Sequence, residues 1–197
     1  MDAVVAEETL DRERAALFAL LGRLLSAPPD AALLARLRGL GGDGPLGQAL
    51  AGLAAAAGAA DPAALEREHF NLFIGVGRGE MMPYASWYLT GFLHDRPLAE
   101  LRGALRRLGV ERAPGVPEPE DHIAFLCETY AGLIEGRFGG GGRGGAASDF
   151  FAVHLRPWAA RFFGDLEEAA AARFYRAVGA LGRVAVEIEG AAADLPA

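Results

Sequence analysis

The sequence predicts an all-α fold, a single-domain helical bundle of about eight or nine helices. Three observations lead there. Hydrophobic residues make up 52% of the 197 and are weighted towards Ala and Leu, both strong helix formers. Apolar side chains recur at helical spacing along most of the chain. No segment alternates polar and apolar residues for long enough to make a strand, and one core can still cover this length, so one domain over 1–197 is expected.

Leu17, Leu20, Leu21 and Leu24 share one helical face, and Pro28-Pro29 stops that helix. A second, short helix is expected from Ala31 to Leu40, ended by Gly41-Gly42, and a third from Leu46 to Gly58. Asp61-Pro62 reads as a cap followed by the first helical residue. The helix it opens carries Leu65, Phe70, Phe73 and Ile74 and stops at Gly75 and Gly77. Residues 78–95, rich in Met, Tyr, Trp, Phe and Pro, read as a structured loop containing a short helix. Leu98, Leu101, Leu105 and Leu108 then mark a helix closed by Gly109. After a Pro-rich link from Ala113 to Pro117, the best-defined helix presents Ile123, Leu126, Cys127, Tyr130, Leu133 and Ile134. The run 139–145, six glycines and one arginine, reads as a flexible connector. Ser148-Asp149 is expected to cap a helix bearing Phe151, Leu155, Trp158 and Phe162, kinked at Pro157. A last helix is expected from Asp165, with Ala170, Phe174, Ala177, Val178, Leu181 and Ile188 facing inward.

Composition narrows the function. A net charge of −7 disfavours nucleic acid and suits a partner that carries cations. All 19 basic residues are Arg, which excludes Schiff-base and P-loop lysine chemistry. A single cysteine, Cys127, leaves no intramolecular disulfide and no thiolate cluster. The acidic start, Met1 to Glu8, lacks the order of a secretory signal, and the apolar run from Ala49 to Ala60 is too short to span a membrane. A cytoplasmic protein without a membrane span is expected.

Catalytic signatures are missing. His69, His94, His122 and His154 show no metal-ligand spacing, and Ser26, Ser86 and Ser148 sit in no nucleophile elbow. Gly140, Gly142 and Gly145 fit a Gly-x-Gly-x-x-Gly pattern by virtue of the glycine tract alone, with no strand before them. Neither a metal nor a cofactor is expected. Two segments stand out. Phe73 to Gly77, followed by Met82 to Tyr88, gathers aromatic and Met side chains that suit either a core or an adaptable apolar groove. Glu118-Pro119-Glu120-Asp121-His122 suits a helix start, with Pro in the first turn and acids on the helix dipole. His122 fits that account poorly, and a recognition point at which Asp121 or Glu120 accepts a partner's arginine is the alternative.

Glu68-x-Phe70-x-x-Phe73-x-Gly75-x-Gly77, then Pro83-Tyr84-x-Ser86-x-Tyr88, then Glu118-Pro119-Glu120-Asp121-His122 resemble the successive signatures of the TorD/DmsD/NarJ group of redox-enzyme maturation chaperones. Phe150-Phe151-x-x-His154-Leu155-x-Pro157-Trp158, with Phe162-Phe163 and Phe174-Tyr175-Arg176-Ala177, is similar to the TorD/DmsD branch. The resemblance runs from Leu65 to Glu189; the glycine-rich connector and the polar Arg78-Gly79-Glu80 depart from it.

It implies a TorD-like all-α fold and a non-catalytic role. The partners implied are the apo catalytic subunit of a molybdopterin oxidoreductase and its twin-arginine signal peptide, held until cofactor insertion and export. The binding surface implied comprises Pro119, Glu120, Asp121 and His122, with Phe73, Gly75, Tyr84 and Trp87 near its apolar part. Asp121→Ala or His122→Ala would then weaken partner binding and leave thermal stability nearly unchanged. A monomer or homodimer fits equally. Three alternatives remain: a NarJ-type escort of a non-exported subunit, a nucleotide-binding or hydrolysing helical protein, and a helical transcription regulator. The last suffers because the first 60 residues hold five Arg against seven acids.

Overall fold

The computed structural model describes residues 2–113, 115, 117–138 and 145–194. These residues form ten α-helices: α1 (Asp2–Ser26), α2 (Ala31–Leu37), α3 (Gly44–Ala59), α4 (Pro62–His69), α5 (Ala85–Thr90), α6 (Arg96–Leu108), α7 (Ile123–Ile134), α8 (Ala146–Phe150), α9 (Ala159–Glu168) and α10 (Phe174–Ala193). α4 continues into a π-helical turn, Phe70–Ile74, and α8 into another, Phe151–Leu155. Among the described residues there is no strand, and one isolated antiparallel bridge joins Tyr84 to His122. No helix of these residues is long and apolar enough to cross a membrane.

The fold class is the expected one, and several boundaries move. α2 stops at Leu37, three residues early. Pro157 separates two helices where a kink is predicted, which is how the count reaches ten. Asp165 lies inside α9, and the last helix begins at Phe174. Ser148 is inside α8, whose N-cap is the left-handed Gly145. The rest of the glycine-rich connector, 139–144, lies outside the described residues, as do 114 and 116 of the Pro-rich link.

The chain divides into two compact units, one of Met1–Arg23 and Tyr84–Pro157, the other of Leu24–Pro83 and Trp158–Ala197. In the first, Tyr130 of α7 is the hub. Its ring meets Phe18 of α1 edge-on at 4.7 Å and lies 5.5 Å from Phe151, while its hydroxyl accepts from Arg14 Nη2 at 3.1 Å. Leu17 and Leu20 are half-buried, and the α1 side chains that enter this unit's core are Ala15, Phe18 and Leu21. Cys127 is buried in α7, and burial pushes its thiol pKa up, so it stays protonated and inert.

In the second unit α10 packs along α9 and α3. The approach to α9 is close because Gly182 has no side chain: a Cβ there would lie 2.2 Å from the Phe163 ring. Trp158, Phe162, Phe163, Tyr175 and Val178 fill the interior. Ala170 and Ile188, expected inside, are exposed. The start of α10 carries no local cap; Glu68 of α4 supplies one from across the unit. Its carboxylate accepts the backbone N–H groups of Arg173 (2.7 Å), Phe174 (3.2 Å) and Tyr175 (2.8 Å). Glu80 similarly accepts from Ala170 and Ala171. The two acids hold the turn between α9 and α10 in place.

Candidate functional site

Six of the eight predicted site residues meet in the first unit, where the chain entering α5 runs beside the chain entering α7. The Tyr84–His122 bridge sets the register, and Ala85 N–H donates to the Asp121 carbonyl at 3.0 Å. α5 has no capping side chain of its own at Tyr84. Asp121 takes that part from 35 residues away: its Oδ2 accepts from the backbone N–H of Ser86 at 2.9 Å and also from the Ser86 hydroxyl. Both side chains are buried, Asp121 to 1% exposure and Ser86 to 0%. The second oxygen, Oδ1, is buried with no hydrogen-bond partner among the described residues.

His122 is the N-cap of α7. Its Nδ1 accepts from Ala124 N–H at 3.1 Å, and an accepting Nδ1 needs its lone pair, so the ring is the neutral Nε2–H tautomer. A neutral imidazole removes the objection to histidine at a helix N-terminus. The four residues before it precede the helix, so Pro119 is not in its first turn. Pro119 instead shapes the approach, its carbonyl accepting from His122 N–H at 3.1 Å.

The acids around this junction differ in availability. Glu120 is held by Arg102, whose Nε and Nη2 reach one oxygen at 2.9 and 2.8 Å. Burial pushes the Glu120 pKa upward, and the hydrogen bonds and positive charge of Arg102 outweigh it, leaving the carboxyl below its usual range. Glu118 is exposed and accepts the Tyr84 hydroxyl. Burial, with that bond and the Glu118 charge behind it, pushes the phenol pKa well up, so Tyr84 keeps its proton and donates. The Tyr84 ring meets His122 edge-on at 5.3 Å.

Direct pairing of Asp121 with a partner's arginine is therefore corrected: the carboxylate is inside the protein and already organises α5. The expectation that Asp121→Ala leaves stability unchanged falls with it. Glu118, which the motif contains and the predicted site omits, is the exposed acid of the segment. Trp87 is 37% exposed on α5. Close to it, Leu89, Phe92 and Leu93 are exposed as well. The signal was readable for Phe92 and Leu93, large apolar residues between Gly91 and a polar helix start in a stretch without helical period, and Leu89 lies two residues before Gly91.

Phe73 and Gly75 belong to the second unit. The Phe73 ring is half-buried, 5.1 Å from His69 and 5.2 Å from Tyr175. Gly75 ends the π-helical turn at φ 63°, ψ 177°, and its N–H donates to the Phe70 carbonyl at 2.7 Å. That backbone geometry is essentially restricted to glycine. It leaves Ile74 and Val76 outside, Val76 almost wholly. Among the described residues, no group of three or more His, Cys, Asp or Glu side chains is placed to hold a metal ion.

A family model described as nitrate reductase delta subunit matches residues 41–164. The chaperone protein TorD of Vibrio cholerae serotype O1 is 32% identical over 105 residues, 50% of this chain and 48% of that protein. The Tat proofreading chaperone DmsD of Salmonella paratyphi A is 33% identical over 117 residues, 58% of this chain and 54% of that protein. The chain thus spans about half the length of the curated relatives it matches. A crystal structure from Archaeoglobus fulgidus described as a redox enzyme maturation protein superposes with a TM-score of 0.59 at 22% identity, covering 88% of this chain and 93% of that one, which speaks to the fold alone. With well over half of its residues inside the family model, and the motifs at Glu68, Tyr84 and Glu118 in order, the chain belongs to the nitrate reductase delta subunit family, the TorD/DmsD/NarJ group.

Proposed function

We propose that this protein is a cytoplasmic redox-enzyme maturation chaperone and not a catalyst. It binds the twin-arginine signal peptide, the apoprotein, or both, of a molybdopterin oxidoreductase catalytic subunit and holds it until cofactor insertion. The observation that carries the reading is the junction before α7. An exposed carboxylate, Glu118, and the half-exposed Pro119 and Tyr84 stand in the same unit as exposed Trp87, on backbone fixed by Asp121 and His122. A peptide with paired arginines and an apolar stretch needs an acid for the former and apolar area for the latter. The likeness to TorD, a chaperone protein, and to DmsD, a Tat proofreading chaperone, supports the same role.

In this reading Asp121 and His122 are positioning residues, Glu118 faces the cations, Glu120 is held back by Arg102, and Tyr84, Trp87 and Pro119 supply contact area. Phe73 and Gly75 would present the apolar side chains of the second unit's loop. The chain acts as a monomer or homodimer and engages neither nucleic acid nor membrane. The test is calorimetric titration with a twin-arginine signal peptide and with the same peptide carrying alanines for both arginines. Micromolar binding that weakens in the control is expected. The match to the nitrate reductase delta subunit family favours a second reading, an escort of a non-exported subunit. Failure to bind either peptide, together with capture of an apoenzyme subunit, would select it.

A further inference from the structure

An open cleft of about 250 Å³ lies in the first unit between α5, α6 and the π-helical turn Phe151–Leu155. Leu89, Leu101 and Val153 give it apolar lining; Thr90, Arg96, Glu100 and His154 give it polar groups. Pockets for whole small molecules start at about 300 Å³. This one is smaller and suits a single large side chain.

Its surroundings are built to stay apolar and open. Leu89, Phe92, Leu93 and Val153 are 43%, 71%, 40% and 58% exposed. Phe92 and Leu93 sit on a five-residue link between two left-handed positions, Gly91 at φ 81° and His94 at φ 58°. A left-handed histidine is uncommon and survives where its neighbours fix it. Here Asp95 caps α6 through the N–H of Arg96 at 2.7 Å, and the Thr90 hydroxyl accepts from Phe92 N–H. On the facing side the π-helical turn, a feature that recurs at functional sites, carries Val153 and His154.

We propose that this cleft is an anchor pocket for one aromatic or branched aliphatic side chain of a basic-flanked apolar peptide, with Phe92 and Leu93 covering the residues beside it. The proposal rests on the chaperone reading above and specifies where an apolar stretch is gripped. Charge selects the occupant. Within the lining Glu100 engages Arg96 at 3.2 Å, so the two charges offset each other and the preference comes from the charge of the whole chain. Burial lowers the His154 pKa, with Glu100 opposing and Arg107 assisting, so at neutral pH the ring adds no cation. With the chain at −7, an acidic peptide is repelled and one flanked by arginines is drawn in.

The test uses the full chain and a synthetic peptide of paired arginines followed by a Leu/Ala stretch with one ring-labelled phenylalanine. Nuclear Overhauser contacts from that ring to the methyls of Leu89, Leu101 and Val153 are expected. Val153→Asp, at an exposed position that leaves the fold intact, should weaken binding about tenfold or more. Ile188→Asp, at an exposed position of the other unit, should leave it unchanged. Equal affinity of wild type and Val153→Asp, with ring contacts elsewhere, overturns the anchor pocket and leaves the chaperone reading standing. No binding of this peptide, or of a natural twin-arginine signal, by the wild type overturns the signal-peptide reading and the pocket together.

Discussion

Replacing Asp121 by Ala should unfold part of what it organises before it affects any partner. The substitution leaves the backbone N–H and the hydroxyl of Ser86 buried without an acceptor at the start of α5. Hydrogen bonds to a charged group contribute about 1.5–3 kcal/mol each, and because both end on one oxygen the pair is nearer to about 3 than to about 6 kcal/mol. Removing the carboxylate also removes a buried Oδ1 that has no partner among the described residues, which offsets about 1 kcal/mol. The net loss is about 2 kcal/mol, or roughly 4–8 °C in Tm for a chain of this size. Differential scanning calorimetry of wild type, Asp121→Ala, Ser86→Ala and the double variant gives both the loss and the coupling, which should be about 1 kcal/mol. A Tm within about 1 °C of wild type for Asp121→Ala, with no coupling to Ser86→Ala, would refute the structural role and return Asp121 to direct recognition.

Four further outcomes are expected. Glu68→Ala removes the acceptor for three N–H groups at the start of α10 and should cost about 3 kcal/mol in urea unfolding, with Glu68→Gln recovering less than half. Gly75→Ala forces a side chain onto φ 63°, ψ 177° and puts its Cβ 2.0 Å from the Arg78 carbonyl oxygen, so a loss of at least about 2 kcal/mol is expected by the same assay. Burial lowers the His69 pKa, opposed by its hydrogen bond to the Leu25 backbone, so the unfolded chain binds the proton more readily than the folded one. Stability is then complete above the unfolded value of about 6.5 and declines as pH falls below it, and His69→Phe should flatten that part of the urea midpoint against pH. Finally, we propose that the whole chain behaves as one domain, since α1 runs unbroken across the boundary at Arg23 and Leu24; a single calorimetric transition is expected, and two resolved ones would count against it.

Signals carried by neighbouring residues were legible in the sequence. Asp61 caps α4 through the N–H of Ala64 with Pro62 first in the helix, and α6 buries Leu98, Leu101 and Leu105 as their spacing requires. Signals that depend on distant partners were not. Nothing near Phe174 announces a helix start, because the caps for that turn come from Glu68 and Glu80, and Asp165 therefore looked like the better N-terminus. The same holds at the site. Composition singles out residues 82–88 and 118–122 separately, the family resemblance alone implies that they share a surface, and only their pairing shows that Asp121 points inward to Ser86 while Glu118 stays outside. His122 looks out of place at a helix start only while its ring is treated as a cation, whereas here it acts through a lone pair. The two π-helical turns have no sequence signature at all.

The bridge between Tyr84 and His122 fastens two points 38 positions apart in the chain. With both ends of that span tied to each other, α6 and the links around it form a closed cassette. Changes at the exposed positions of the cassette leave the anchorage of α7 untouched, because Asp121, Ser86 and His122 sit at its rim, whereas Arg102, which holds Glu120, and the buried Leu98, Leu101 and Leu105 must stay. Such an arrangement lets the exposed face of the segment vary while its buried face stays under unchanged packing constraints.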